Sequence, residues 1–163
     1  MVNVLFVCLG NICRSPTAHG VFSQQVAEAG LSDKVFIDSA GTSGWHENEP
    51  PDARSCAEAL NNGFDLSFIR SRKVVSADFE TQDLLLAMDQ SNLNELKRHC
   101  PAKYQHKLKL FLDFSADTSV REVPDPYYGG EDGFAKVLTL VERGGLALLQ
   151  HLKDHYLTEP LFD

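Results

Sequence analysis

The strongest constraint on this chain is a short stretch near its N-terminus, where a strand pattern passes almost directly into a helix start. The largely apolar run 2–7 is typical of a strand buried on both faces. Ser15 followed by Pro16 indicates a helix start, with a hydroxyl at the N-cap and proline at the first helical position. Backbone N–H groups in the loop between them converge with the helix N-terminus. The stretch therefore predicts an anion site at the end of a strand.

Two side chains in this loop indicate chemistry as well as binding. A thiolate at Cys8 would be stabilised by the same N–H groups and would be nucleophilic near neutral pH. Arg14 carries a planar fork of donors that matches a phosphate-like oxyanion. A purely structural, buried Cys8 would leave the neighbouring Arg14 and Ser15 unexplained. The loop therefore predicts a phosphate site that contains a nucleophile.

Other loop types fit these residues less well. A nucleotide P-loop requires a lysine that is absent here, and a dinucleotide fingerprint requires three spaced glycines where only Gly10 is present. A zinc site favours closely paired cysteines, whereas four residues separate Cys8 from Cys13.

Composition narrows the choice of partners. The 163 residues fit one domain, 1–163, and the net charge of −8 argues against binding to nucleic acid or an anionic membrane. Apolar stretches are too short to span a membrane and no signal segment is evident, so we expect a cytoplasmic protein with its four cysteines reduced. We expect a monomer or a weak homodimer.

Strand and helix patterns alternate along the chain. Strands are predicted at 2–7, 34–40, 84–88 and 107–112, and helices at 15–29, 52–62, 76–81, 91–100 and 131–156. This order predicts an α/β three-layer sandwich of the Rossmann/flavodoxin type, a four-stranded parallel sheet with helices on both faces. In helix 52–62 the predicted inward residues are Ala53, Cys56, Ala57 and Leu60. Gly144 and Gly145 predict close packing in the last helix.

The polar motifs follow the predicted strands. Cys8 follows the first strand, Ser39 lies at the end of the second, Asp89 follows the third, and Asp125 lies in the loop after the fourth. Open α/β sheets bind ligands at the carboxyl ends of their strands, so one cleft is expected there. Two prolines bracket Asp125 and stiffen the backbone around its carboxylate.

Residues 8–15, Cys-Leu-Gly-Asn-Ile-Cys-Arg-Ser, resemble the phosphate-binding loop of the low-molecular-weight protein tyrosine phosphatases. Segments 38–42, 45–46, 87–93 and 125–129 extend the resemblance over nearly the whole chain. The resemblance implies hydrolysis of phosphotyrosine in proteins, and of small aryl phosphates, through a cysteinyl-phosphate intermediate. Phosphotyrosine-containing proteins would be the substrates, and neither a cofactor nor a metal would be needed.

The resemblance also implies a role for each matching residue. Cys8 would be the nucleophile, Arg14 would hold the transferred group, and Asp125 would be the general acid and then the base. The remaining site residues would bind phosphate (Leu9, Gly10, Asn11, Ile12, Cys13, Ser15), flank the phenyl ring (Trp45, Tyr127, Tyr128) or support the loop (Ser39, Asp89, Asn92).

Two positions depart from the family pattern. The family often has a histidine at the position of Ile69, in a hydrogen-bond network that joins Ser39 to Asn11. Without that histidine, Ser39 is expected to matter more for holding Asn11. His19 also departs from the pattern and receives no role from the sequence.

Two other functions remain open at the level of sequence. A thiol-dependent arsenate reductase shares the loop and the fold, but it would need a further cysteine relay near the cleft. A catalytically silent phosphotyrosine-binding module would not need Cys8, Arg14 and Asp125 together. A loop curled around one phosphate also brings its ends together, so we expect that oxidation of Cys8 leads to a disulfide with Cys13.

Overall fold

A parallel sheet lies at the centre of the fold in the computed structural model, which describes residues 1–117, 119–126, 130 and 132–157. Its strands are β1 (Val2–Cys8), β2 (Val35–Gly41), β3 (Leu84–Ala87) and β4 (Leu108–Leu110), in the order β2-β1-β3-β4. The helices are α1 (Arg14–Glu28), α2 (Ala53–Asn61), α3 (Ser76–Thr81), α4 (Gln90–His99) and α5 (Gly133–His155). Short 3-10 segments cover Ala102–Lys107 and Phe111–Phe114.

Strand β1 is buried on both faces because helices cover both sides of the sheet. Its side chains alternate: Phe6 packs in a core with α1, α2 and α5, whereas Leu5 packs in a second core with α3 and α4. The predicted three-layer α/β sandwich is therefore confirmed. The strand order places β1 between β2 and β3, so the crevice at the switch of strand order opens directly beyond Cys8.

The start of α1 differs from the prediction. The helix begins at Arg14, and Cys13 occupies the N-cap position without a side-chain hydrogen bond. Ser15 is therefore not the N-cap, because its hydroxyl lies 3.0 Å from the Cys8 sulfur instead of turning back onto the helix end. The first turn of α1 thus contributes directly to the loop that Cys8 begins.

The predicted inward face of α2 was wrong for Ala53, Ala57 and Leu60, which are exposed, whereas Cys56 is partly buried and packs against the core. Ser55 and Ala59 are the buried residues of this helix, whereas Leu60 is 69% exposed. At its N-terminus α2 contacts the phosphate loop, where the Asp52 N–H donates to the Ile12 carbonyl over 2.7 Å. Ala59 joins the core that α1 and α5 share, and Ser55 is hydrogen-bonded to Cys13, so these tertiary contacts bury the side of α2 that carries Ser55 and Ala59.

Candidate active site

The loop after β1 is held open by backbone contacts with the strand beside it. The N–H groups of Thr42 and Ser43 donate to the carbonyls of Cys8 and Leu9, each over 2.9 Å. A side chain at Gly41 would approach the Leu9 carbonyl to 2.7 Å, so only glycine permits this close approach. The loop therefore continues the pairing of β1 with β2 beyond the end of the sheet.

Cys8 is 3% exposed, and two donors approach its sulfur. The Asn11 N–H donates to Sγ over 3.3 Å, and the Ser15 hydroxyl lies 3.0 Å away. The Ser15 oxygen accepts a 2.7 Å hydrogen bond from Asn11 Nδ2, which leaves the hydroxyl proton available for the sulfur. This geometry stabilises a thiolate at Cys8.

Arg14 is almost fully buried beside that sulfur. Its Nη1 donates to Asp89 Oδ2 over 2.6 Å and to the Val123 carbonyl over 3.0 Å. Burial alone would lower the pKa of Arg14, but the nearby Cys8 and Asp89 outweigh it and raise that pKa above its ordinary value. Asp89 also accepts the Asn92 N–H, so one carboxylate caps α4 and orients the guanidinium.

Asp125 lies across the pocket from the loop. Its Oδ2 is 3.8 Å from Arg14 Nη2, and its side chain is 33% exposed. The segment before it is tied down: the Val123 N–H donates to the Met88 carbonyl over 2.8 Å, and Glu122 accepts the Gln90 N–H over 2.7 Å. The sequence had not singled out Glu122, whose only signal is its place three residues before Asp125.

These elements enclose a pocket whose floor is the loop. Its lining residues are Cys8, Leu9, Gly10, Ile12, Cys13, Arg14, Trp45, His46 and Asp125. The structure thus brings most of the sequence-predicted site residues together, with Trp45 74% exposed at the mouth. Tyr127 and Tyr128 lie outside the described residues. His46 lacked a predicted role, yet it lines the pocket with its Nδ1 2.9 Å from Glu49 Oε2.

Ser39 does not hold Asn11 in the way that the sequence suggested. Its hydroxyl pairs with Nδ1 of the buried His19 over 2.9 Å, while the Asn11 side-chain oxygen accepts the Arg72 N–H over 3.0 Å. Buried Ile69 has no polar group to take part. His19 follows Ser15 by four residues on the buried face of α1, and this spacing is the signal that could have revealed its place.

In the described part of the chain, no group of three or more histidine, cysteine, aspartate or glutamate side chains is arranged to hold a metal ion. Among the described helices, none has both the length and the apolar composition needed to cross a membrane.

A cysteine with a backbone N–H aimed at its sulfur, an arginine held by a carboxylate and an aspartate across the pocket are the groups that a cysteine-dependent phosphatase requires. The family model described as low molecular weight phosphotyrosine protein phosphatase matches residues 3–157. The chain therefore belongs to this family, as the loop motif had predicted, and it is a hydrolase.

Individual relatives agree with this assignment. A low molecular weight protein-tyrosine-phosphatase of Streptomyces coelicolor is 42% identical over 155 residues, 93% of each chain. The human low molecular weight phosphotyrosine protein phosphatase is 40% identical over 136 residues, 83% of this chain and 85% of the human one. A crystal structure of a protein tyrosine phosphatase from Entamoeba histolytica, with Hepes in its active site, superposes with a TM-score of 0.91. It is 40% identical and covers 94% of this chain and 98% of its own.

Proposed function

We propose that this chain hydrolyses phosphotyrosine in proteins, and small aryl phosphates, through a phosphocysteine intermediate on Cys8. The observation that carries the proposal is the pair of donors on the Cys8 sulfur, at the floor of a pocket that Arg14 and Asp125 also line. Membership of the phosphatase family supports the same reaction.

In the first step the Cys8 thiolate attacks phosphorus, so a sulfur–phosphorus bond forms as the phosphorus–oxygen bond to the phenol breaks. Asp125, as the carboxylic acid, donates its proton to the departing phenolate oxygen. Both protons on Arg14 Nη1 are used by Asp89 and Val123, which leaves the Nε and Nη2 edge for two phosphate oxygens. Arg14 and the loop N–H groups hold the negative charge throughout.

In the second step water attacks phosphorus and the phosphocysteine is broken. Asp125, now a carboxylate, takes a proton from the water, and phosphate leaves. Cys8 departs as a thiolate, which the Asn11 N–H and the Ser15 hydroxyl stabilise. The same two donors therefore serve the attacking sulfur in the first step and the leaving sulfur in the second.

The pocket walls favour an aromatic ester. Leu9, Ile12 and Trp45 present apolar surface beside the loop, and an exposed indole can stack on a phenyl ring. Tyr127 and Tyr128 are proposed as further walls on the family resemblance.

We propose that the substrates are phosphotyrosine-containing proteins. We further propose that the protein is a cytoplasmic monomer or weak homodimer and that residues 1–163 form one phosphatase domain. The net charge of −8 supports the expectation that nucleic acid is not a partner.

The two alternatives predict different chemistry. An arsenate reductase would need a further cysteine relay near the cleft, and neither Cys56 nor Cys100 lines the pocket. A silent binding module would leave p-nitrophenyl phosphate intact. Turnover of that ester, lost in Cys8→Ser, would therefore favour the phosphatase over both.

The test of the acid is Asp125→Ala. Turnover should fall by about two to four orders of magnitude, because the leaving oxygen then departs without a proton. The loss should be larger for phenyl phosphate than for p-nitrophenyl phosphate, whose leaving group needs less protonation. Asp113→Ala, which removes an exposed carboxylate paired with Arg121, is the matched control and should keep full turnover. An equal loss for both esters would exclude Asp125 from this role.

A further inference from the structure

The guanidinium of Arg72 is fixed between two carboxylates outside the pocket. Its Nη1 and Nη2 donate to the two oxygens of Asp78 over 3.0 and 2.9 Å. Its Nε and Nη2 donate to Asp38 Oδ2 over 3.2 and 3.0 Å. Such forked pairing fixes the orientation of the side chain as well as its charge. We call this group of Asp38, Arg72 and Asp78 the arginine clamp.

The backbone of Arg72 holds the phosphate loop. Its N–H donates to the Asn11 side-chain oxygen over 3.0 Å, and its carbonyl accepts the Gly41 N–H over 2.8 Å. Gly41 lies opposite Cys8 in the pairing of β1 with β2. The arginine clamp therefore fixes a stretch of backbone that contacts the loop through both Asn11 and Gly41.

Asn11 needs this support because its backbone is in the left-handed region, with φ of 56°. That conformation costs free energy in a residue with a Cβ atom and persists where the surroundings impose it. Both ends of the Asn11 amide are held, by Ser15 and by Arg72. In this conformation the Asn11 N–H points at the Cys8 sulfur.

The residue before Arg72 holds the other wall of the pocket. Ser71 donates its hydroxyl proton to the His46 carbonyl, and its carbonyl accepts the Asn48 N–H over 2.8 Å. His46 and the neighbouring Trp45 both line the pocket. The short segment 71–72 therefore supports the phosphate loop and the Trp45 loop together.

We propose that Arg72 is a positioning residue for catalysis: the arginine clamp fixes the backbone N–H that orients Asn11, and thereby the N–H aimed at the Cys8 sulfur. The inference rests on the proposed role of Cys8 and extends it to residues that do not line the pocket. The role depends on the geometry of the side chain and not on its charge alone, since a cation at position 72 that cannot make the forked pairing would not reproduce the clamp.

The decisive variant is Arg72→Lys, which keeps the positive charge but cannot pair with both carboxylates at once. We expect kcat/KM for p-nitrophenyl phosphate to fall about 10- to 100-fold, because misplaced loop donors hold the transition state less well. The inhibition constant of inorganic phosphate should rise, since the same N–H groups bind it. Arg70→Lys, two residues away, is the matched control and should match the wild type, because the Arg70 guanidinium donates to the nearby Ser67 and Ile69 carbonyls and to neither carboxylate of the clamp.

A readout on the sulfur separates positioning from a general loss of stability. The rate of Cys8 alkylation by iodoacetamide at fixed pH reports the reactivity of the sulfur, and it should change in Arg72→Lys, where the Asn11 N–H is no longer aimed at Sγ, but stay unchanged in Arg70→Lys. The preference for good leaving groups should stay as in the wild type, because Asp125 is untouched. Folding is checked by circular dichroism at the assay temperature.

If Arg72→Lys does not fold, Asp38→Asn tests the positioning role of the arginine clamp instead. The asparagine oxygen can still accept the Ser39 N–H, as Asp38 Oδ1 does, while its amide nitrogen turns a donor toward Arg72. A smaller loss of kcat/KM, with a change in the alkylation rate of Cys8 in the same direction as in Arg72→Lys, is expected. Wild-type kinetics and alkylation in either folded variant would overturn the positioning role. Absence of turnover in the wild type would instead contradict the proposed function itself.

Discussion

At the scale of single residues, the two cysteines of the loop have opposite surroundings. Cys13 is 4% exposed, and burial, together with the charge of Asp52, raises the pKa of its thiol to about 12. A hydrogen bond with Ser55 lowers that pKa but does not outweigh burial. Cys13 is therefore a thiol at neutral pH, whereas the donors around Cys8 stabilise a thiolate.

This difference leads to a prediction about oxidation. Peroxide should convert Cys8 to a sulfenic acid, which condenses with the Cys13 thiol to give a disulfide and water. Because the thiolate is the attacking form, the rate of disulfide formation should rise about tenfold per pH unit. Mass spectrometry of quenched samples measures that rate, and a dithiol should restore activity.

Cys13→Ala should keep its basal activity largely intact and recover poorly after the same peroxide treatment. Cys56→Ala is the control, since its sulfur bonds to the Pro51 carbonyl outside the pocket, and it should recover like the wild type. Pairing of Cys8 with Cys56 or Cys100, or full recovery of Cys13→Ala, would exclude the protective role of Cys13.

The sequence was sufficient to predict the positions of residues that act together within one short segment. Cys8, Arg14 and the loop between them are contiguous, so their convergence follows from one turn. His19, Arg72 and Glu122 were missed because each acts through a contact with a distant part of the chain. A side chain of ordinary type at such a position carries no local signal of its partner.

At the scale of elements, the last helix shows how packing compensates for weak helix formers. A Cβ at Gly144 would lie 2.8 Å from Phe111 Cζ and 2.9 Å from Leu112 Cδ2, both in the core. A Cβ at Gly145 would instead meet the end of the Gln25 side chain at 2.1 Å. The close packing predicted for these two glycines is confirmed, against rigid core groups at one and a flexible side chain at the other.

The two glycines should therefore respond differently to alanine. Gly144→Ala should lower the free energy of unfolding, since overpacking costs about 1–3 kcal/mol and alanine recovers about 1 kcal/mol of helix propensity. Gly145→Ala should lower it less, because the clash is with the end of the flexible Gln25 side chain, which can shift at the cost of its hydrogen bond to the Glu142 carbonyl. Urea unfolding at pH 7 measures both. Equal destabilisation by the two would contradict this assignment.

Helices and strands could be predicted where the hydrophobic pattern extends over many residues. The side of a helix that is buried was harder to predict. The four strands and five helices agree with the predictions to within a few residues. Strand β4 is only Leu108–Leu110, because Phe111–Phe114 turns into a 3-10 segment that packs on α5. The predicted face of α2 was wrong at three of four residues because the buried side is the one where Ala59 packs in the core and Ser55 is hydrogen-bonded to Cys13, contacts that the apolar pattern of the helix does not reveal.

At the scale of the whole molecule, one buried polar pair joins α1 to the sheet. His19 on α1 is hydrogen-bonded to Ser39 on β2, and Phe68 packs edge-on against its ring at 5.2 Å. Burial lowers the pKa of His19 to about 4; the charge of Asp38 partly opposes this effect, and that of Arg72 adds to it. The folded protein therefore holds His19 neutral, although an unfolded chain would protonate it near pH 6.5.

The free energy of unfolding should therefore depend on pH below about 6.5. Between pH 6.5 and 4 the unfolded chain binds the His19 proton and the folded chain does not, so stability falls as the pH falls. The contribution of neutral His19 to the free energy of unfolding is fully present above pH 6.5, and its loss by pH 4 is on the order of 3 kcal/mol. His19→Asn offers a neutral partner to Ser39 without this titration, so its free energy of unfolding should change less over the same range. Urea unfolding of both proteins at several pH values gives the wild-type free energy of unfolding minus that of His19→Asn. This difference should fall from pH 6.5 to pH 4 because only the wild type carries the His19 titration, while the carboxylates common to both cancel. Parallel curves would show that His19 is protonated equally in the folded and unfolded states.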